Sequence, residues 1–126
     1  VDSYQPITPT TRYQAIQTGV PFLAYMPSYT AALSLKKIAL TQCATNKNIG
    51  LIATYGSAKK SITITEYSAT QSCSFEKNIP KNAKRTIVVK AGGSKRPGAR
   101  IALVTVGLSS LEIKKLVAGL VRVPLQ

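Results

Sequence analysis

The side chains able to carry chemistry in this chain are few, and their spacing argues for binding rather than bond-making. Ser34-Leu35-Lys36-Lys37 and Ser57-Ala58-Lys59-Lys60 both match the Ser-x-x-Lys pattern. On a helix that spacing sets a lysine beside a serine for acyl transfer. Here the first falls in a predicted strand and the second in a predicted hairpin loop, and no partner motif accompanies either. Glu66 is the one acid inside a predicted strand. No second carboxylate is placed near it, so a cross-strand ion pair with a lysine is expected rather than acid catalysis. Glu112 follows Ser109 at capping-box spacing and is explained by that cap. Gly92-Gly93-Ser94-Lys95-Arg96-Pro97-Gly98 could offer backbone N–H groups to an anion as a nest, although it lacks the Lys-Ser/Thr that closes a P-loop. A plain hairpin turn is the alternative for this stretch.

Charge gives the second constraint. The 126 residues hold 17 Lys and Arg against 4 Asp and Glu, with no histidine, for a net charge of +13. Four carboxylates and no imidazole leave few proton carriers and few metal ligands. No enzyme activity, no cofactor and no metal are therefore expected. Eight cations, Lys77, Lys81, Lys84, Arg85, Lys90, Lys95, Arg96 and Arg100, run without an intervening acid. Such a field attracts polyanions: anionic lipid, acidic wall polymer or nucleic acid. It could equally be a solubilising surface. Lys81 to Arg100 contains no Phe or Tyr, so stacking on nucleic-acid bases is poorly supported.

Cys43 and Cys73 cannot make a zinc site without further ligands, and they are not a Cys-x-x-Cys redox pair. A disulfide or two free thiols remain, and the disulfide is favoured. It would close a loop of 31 residues counting both ends, worth about 3.7 kcal/mol in the chain-entropy treatment. It would also imply an oxidising, extracytoplasmic compartment. Residues 1–11 (VDSYQPITPTT) read as a linker or mature N-terminus left after removal of a leader or anchor. Residues 12–124 read as a single α+β domain.

The elements that must position these groups follow from periodicity. Thr11 to Thr18 predicts a short helix capped by Thr10 or Thr11 and ended by a left-handed Gly19, with Tyr13, Ile16 and Val20 on one side. Pro21 and Pro27 confine residues 20–29 to an extended edge segment. Leu33 to Thr41, Ile49 to Tyr55, Ser61 to Tyr67, Thr86 to Ala91 and Arg100 to Val106 read as strands. Facing Tyr55 with Ile62 and Ala53 with Ile64 makes the apolar faces of one hairpin coincide. That register also brings Cys43 near the segment after Tyr67. Ser109 to Val121 carries a helical apolar stripe, a capping box and a staple of Leu108 on Ile113. The fold class is thus α+β: a curved antiparallel β-sheet of about five or six strands, with a short N-terminal helix and a C-terminal amphipathic helix packed on one face. Tyr13, Phe22, Tyr25, Met26 and Tyr29 either line a cleft between the N-terminal segment and the sheet or pack as core.

Val20-Pro21-Phe22, Pro27-Ser28-Tyr29, the tyrosine-ended strand at Tyr55 before a lysine-containing turn, Ile62 to Glu66, and the last strand with Gly107 and its capped helix carry a likeness. Over about residues 12 to 122 the chain resembles a small envelope domain of Gram-positive and related bacteria. That domain occurs in anti-sigma-factor ectodomains and lipoproteins and is similar to the lipoprotein-carrier fold. Where such domains often have a proline and a glycine near residues 30 to 32, this chain has Thr30, Ala31 and Ala32. The resemblance implies a non-catalytic, sensory or ligand-holding domain, extracytoplasmic and membrane-tethered in its full-length protein, with an unidentified ligand or envelope partner. A basic polyanion-binding module acting through Lys77 to Arg100 is the alternative expectation.

Overall fold

The computed structural model describes residues 8–43, 47–70 and 81–124. The first helix, α1 (Pro9–Gln17), starts inside the stretch expected to be linker. Thr8 is its cap, accepting the Thr11 N–H on Oγ1 at 3.2 Å. Pro9 suits the first turn, where its missing N–H is not needed. The helix ends on Thr18, and Gly19 after it does not take the left-handed conformation expected there. An added Cβ there would lie 3.0 Å from Cδ1 of the exposed Leu40 side chain. Buried Gln17 then fixes the next segment: its Nε2 donates to Phe22 O at 2.7 Å and its Oε1 accepts the Ala24 N–H at 2.8 Å.

That segment enters β1 (Tyr25–Pro27), an extended edge piece as the prolines require. Five longer strands follow: β2 (Leu35–Gln42), β3 (Ile49–Gly56), β4 (Ser61–Ser68), β5 (Ala83–Lys90) and β6 (Ala99–Val106). They form one antiparallel sheet in the order β2-β3-β4-β6-β5. Tyr55 pairs with Ile62 and Ala53 with Ile64, the register read from the apolar alternation. β6 lies between β4 and β5 and is packed on both faces, Ile101 and Leu103 in the main core and Ala102 in a second cluster, which explains its apolar residues on both faces.

The C-terminal helix, α2 (Ser110–Ala118), has the full capping box: Glu112 N–H donates to Ser109 Oγ, and Ser109 N–H donates to Glu112 Oε1. It stops earlier than its stripe predicts. Gly119 is the C-cap, and Leu120, Val121 and Arg122 become a strand, β7 (Leu120–Arg122). β7 pairs with β1, Tyr25 opposite Arg122 and Pro27 opposite Leu120. Gly119 ends the helix here, and the β-branched Val121 and Val123 beyond it favour extended backbone over a continued helix.

The main core lies on one face of the sheet. Leu51, Ala53, Tyr55, Ile62, Ile64, Ile101 and Leu103 point toward Tyr13 of α1, Phe22 and Leu116 of α2. Each large apolar side chain so buried contributes roughly 1.5–3 kcal/mol. A smaller cluster of Cys43, Tyr67 and Ala102, with Ile87 against it, occupies the opposite face. Gly50 makes room there, because an added Cβ would sit 2.7 Å from the Tyr67 ring.

Candidate anion-binding site

Four of the basic residues, Lys90, Lys95, Arg96 and Arg122, meet where the β5–β6 hairpin joins the β1–β7 ribbon. The turn between β5 and β6 folds tightly on itself: Gly93 N–H donates to Arg96 O at 3.0 Å. Gly98 is obligatory there, since a Cβ would collide with Lys90 O. The turn is docked by Leu23 N–H donating to Pro97 O at 3.0 Å and by Ala69 N–H donating to Gly98 O at 2.9 Å. Tyr25 adds a bond from its hydroxyl to Ala91 O at 3.3 Å, with Lys90 Nζ standing 5.7 Å from its ring centroid. β7 brings Arg122 alongside, its guanidinium facing Gly93.

The result is an open pocket of about 330 Å³ whose lining includes Lys95, Arg96 and Arg122 over a floor of Leu23, with Gly93 and Ser94 on the turn. The described carboxylates are Glu66 and Glu112. Glu112 is held by Lys60 at 3.0 Å and by its cap, which lower its pKa. Among the described residues, therefore, no acid neutralises the three cations. Two guanidinium forks and an ammonium suit oxyanion recognition.

The expected cluster is only partly brought together. Lys95 and Arg96 line the pocket and Lys90 flanks it on Tyr25. Lys84 and Arg85 are successive residues of β5 and point to opposite faces. Arg100 pairs with Val89 on the face opposite the main core, Lys81 is exposed before β5, and Lys77 lies outside the described residues. Arg122 joins the site from a stretch read as helical. Its signal was Gly119: ending the helix there leaves Leu-Val-Arg-Val as alternating strand.

Tyr13 and Phe22 have no exposed surface and are core. Tyr25, Met26 and Tyr29 are partly buried around that core. The five do not form one cleft. Tyr25 and Tyr29 instead each carry a lysine over the ring, Lys90 and Lys115, at 5.7 Å. Tyr55 Oη donates to Tyr13 Oη at 3.0 Å, and burial raises both phenol pKa values, that of Tyr55 to about 12. A separate cavity of about 400 Å³ opens beside them, between the start of α1, the end of β1 and the chain leading into β2.

Glu66 departs from expectation. Among the described residues it makes no ion pair with a lysine; it is fully buried on the main core face, between Leu51 and Ile101 of the flanking strands. Its Oε1 accepts the Tyr25 N–H at 2.8 Å, and its Oε2 has no partner among the described residues. Burial pushes its pKa up to about 8, against a smaller downward pull from Tyr25. The alternation Ile62, Ile64, Glu66 already placed it on this face. Neither Ser-x-x-Lys pair lies on a helix: Ser57 and Lys60 flank the β3–β4 turn, and Ser34 leads into β2. Cys43 is buried at the end of β2, while Cys73 lies outside the described residues.

No family model matches the chain, and no characterised protein or solved structure is significantly similar to it.

Proposed function

We propose that this chain is a non-catalytic binding domain of a bacterial cell-envelope protein and that it holds phosphate-bearing anionic surfaces at the corner made by Lys95, Arg96 and Arg122. One observation carries this reading: three cations from two distant stretches converge on one pocket with no described carboxylate among them. The excess of cations over the whole chain adds long-range attraction for the same partners. The resemblance to envelope domains supports an extracytoplasmic, membrane-tethered setting. A Cys43–Cys73 bridge, proposed here as well, fits that compartment.

Cosedimentation with phosphatidylglycerol vesicles and titration with a glycerol-phosphate polymer test the reading, each at low and high salt. Affinity is expected to fall steeply with salt and to drop at least about tenfold in an Arg96→Gln, Arg122→Gln variant, since charge-assisted bonds are lost. Tighter binding of duplex DNA than of either probe would favour the nucleic-acid alternative. Binding insensitive to both salt and the double substitution would refute the assignment.

A further inference from the structure

The 400 Å³ cavity beside α1 has the makings of a second, chemically different site. Its polar side is Arg12, Thr30 and Ser34; its walls are Pro27, Leu33, Leu35 and the ring of Tyr55. Arg12 is half-buried, and among the described residues its guanidinium makes a single long bond, Nη1 donating to Leu35 O at 3.5 Å. A guanidinium has five N–H donors, so the described residues leave most of this fork open to a ligand. Both described carboxylates are engaged elsewhere, Glu66 in the core and Glu112 with Lys60.

The backbone at the rim is strained. Ala31 and Ala32 both adopt left-handed conformations, φ 52° and 64°, where a Cβ costs on the order of 1 kcal/mol per residue. The turn is closed by Leu33 N–H donating to Thr30 O at 2.9 Å, and Gly56 N–H donates to Ser34 O at 3.1 Å. Two successive strained alanines set Thr30, Leu33 and Ser34 around the cavity mouth. Strain of this kind concentrates at ligand sites.

We infer that this cavity binds a monocarboxylate with an apolar body: the Arg12 fork takes the carboxylate, the Thr30 and Ser34 hydroxyls flank it, and Leu33, Leu35 and Tyr55 receive the apolar part. One guanidinium balances one negative charge and matches a planar carboxylate through two parallel bonds. A phosphate dianion would bring a second charge with no cation to meet it in this cavity. The apolar walls and the volume, at the small end of ligand pockets, suit a compact organic acid or the C-terminal residue of a peptide.

Calorimetric titration tests this with phenylacetate for the free acid and N-acetyl-leucine for the peptide terminus, against phenylacetamide and N-acetyl-leucinamide as neutral controls. Saturable binding of at least one acid is expected, with its amide at least about tenfold weaker. Whichever acid binds identifies the source. Arg12→Gln should remove the preference for acid over amide. Arg12→Lys, which keeps charge without the fork, should weaken acid binding while thermal melts report an intact fold. A paired Ala31→Gly, Ala32→Gly variant should melt no lower than the parent yet bind the acid more weakly, because the rim is no longer held. Absence of binding by both acids, equal binding of acids and amides, or full affinity in Arg12→Gln would overturn the proposal. Vesicle binding through Arg96 and Arg122 should be unchanged in Arg12→Gln, so this inference and the proposed function stand or fall separately.

Discussion

The backbone N–H of Tyr25 donates to Oε1 of Glu66 at 2.8 Å, and this bond ties the β1–β7 ribbon to the middle strand of the large sheet. Tyr25 also meets Ala91 O through its hydroxyl and Lys90 through its ring. One residue thereby links a buried carboxyl to the cationic corner. Glu66 is the acceptor that satisfies the Tyr25 amide, and it lies where a charge is poorly solvated.

Stability should therefore fall with rising pH over a defined window. The Glu66 carboxyl titrates near 4.5 when solvated and at about 8 in the folded chain. Between those values the folded state holds a proton that the unfolded state has released, so stability declines as pH rises, by at most about 1.4 kcal/mol per pH unit. Glu66→Gln keeps an oxygen for the Tyr25 N–H and removes the titration. Urea unfolding across pH should show the variant lacking this decline and exceeding the parent near the top of the window by a few kcal/mol, on the order set by the same linkage. Parallel curves for the two proteins would contradict the account.

Glu112 works in the opposite sense. Its pKa is lowered by Ser109 N–H and Lys60, so its contribution is present above the solvated carboxylate range and is lost as pH drops through its folded value. Ser109→Ala removes the hydroxyl that receives the Glu112 N–H. It should cost about 1 kcal/mol in unfolding free energy, as helix caps do.

Gly98→Ala should damage the corner without touching any of its charges. The new methyl collides with Lys90 O and comes within 2.6 Å of Ala91 C. Overpacking of this kind costs about 1–3 kcal/mol. Vesicle affinity should fall although Lys95, Arg96 and Arg122 are all present. Unchanged affinity and melting temperature would show that the turn does not position the site.

For the cysteines, reagent titration under denaturing, non-reducing conditions should find no reactive thiol in protein prepared through an oxidising route. Reduction should then lower stability by about 3–4 kcal/mol, the loop-closure figure for a bridge of this span. Two free thiols would remove this argument for an extracytoplasmic setting.

Much of the scaffold could be read from local rules. Tyr55 against Ile62 follows from alternation, and Ser109 with Glu112 from cap spacing; both are properties of neighbouring residues. Features that depend on distant residues are not legible in this way. Arg122 depends on whether Gly119 ends a helix, which was settled by pairing with Tyr25, a residue far away in sequence. Glu66 sits at the correct parity for burial, but cross-strand pairing alone points to a lysine partner; the amide of Tyr25 is found only from the tertiary arrangement. The Arg12 cavity is built from α1, the end of β1 and the chain into β2, and no motif encodes such a convergence. The left-handed alanines are likewise invisible locally, since alanine itself avoids that conformation.

Among the described residues, β2 and β5 are the outermost strands of the large sheet. Lys36 and Lys37 lie on one margin, beside a register irregularity between Leu35 and Lys37, and Lys84, Arg85 and Lys90 lie on the other. Any second copy approaching edge-on meets like charge on either flank, and the irregular β2 margin offers it an interrupted ladder. Mutual repulsion thus discourages fibrillar stacking in dilute buffer, and that safeguard weakens as ionic strength rises.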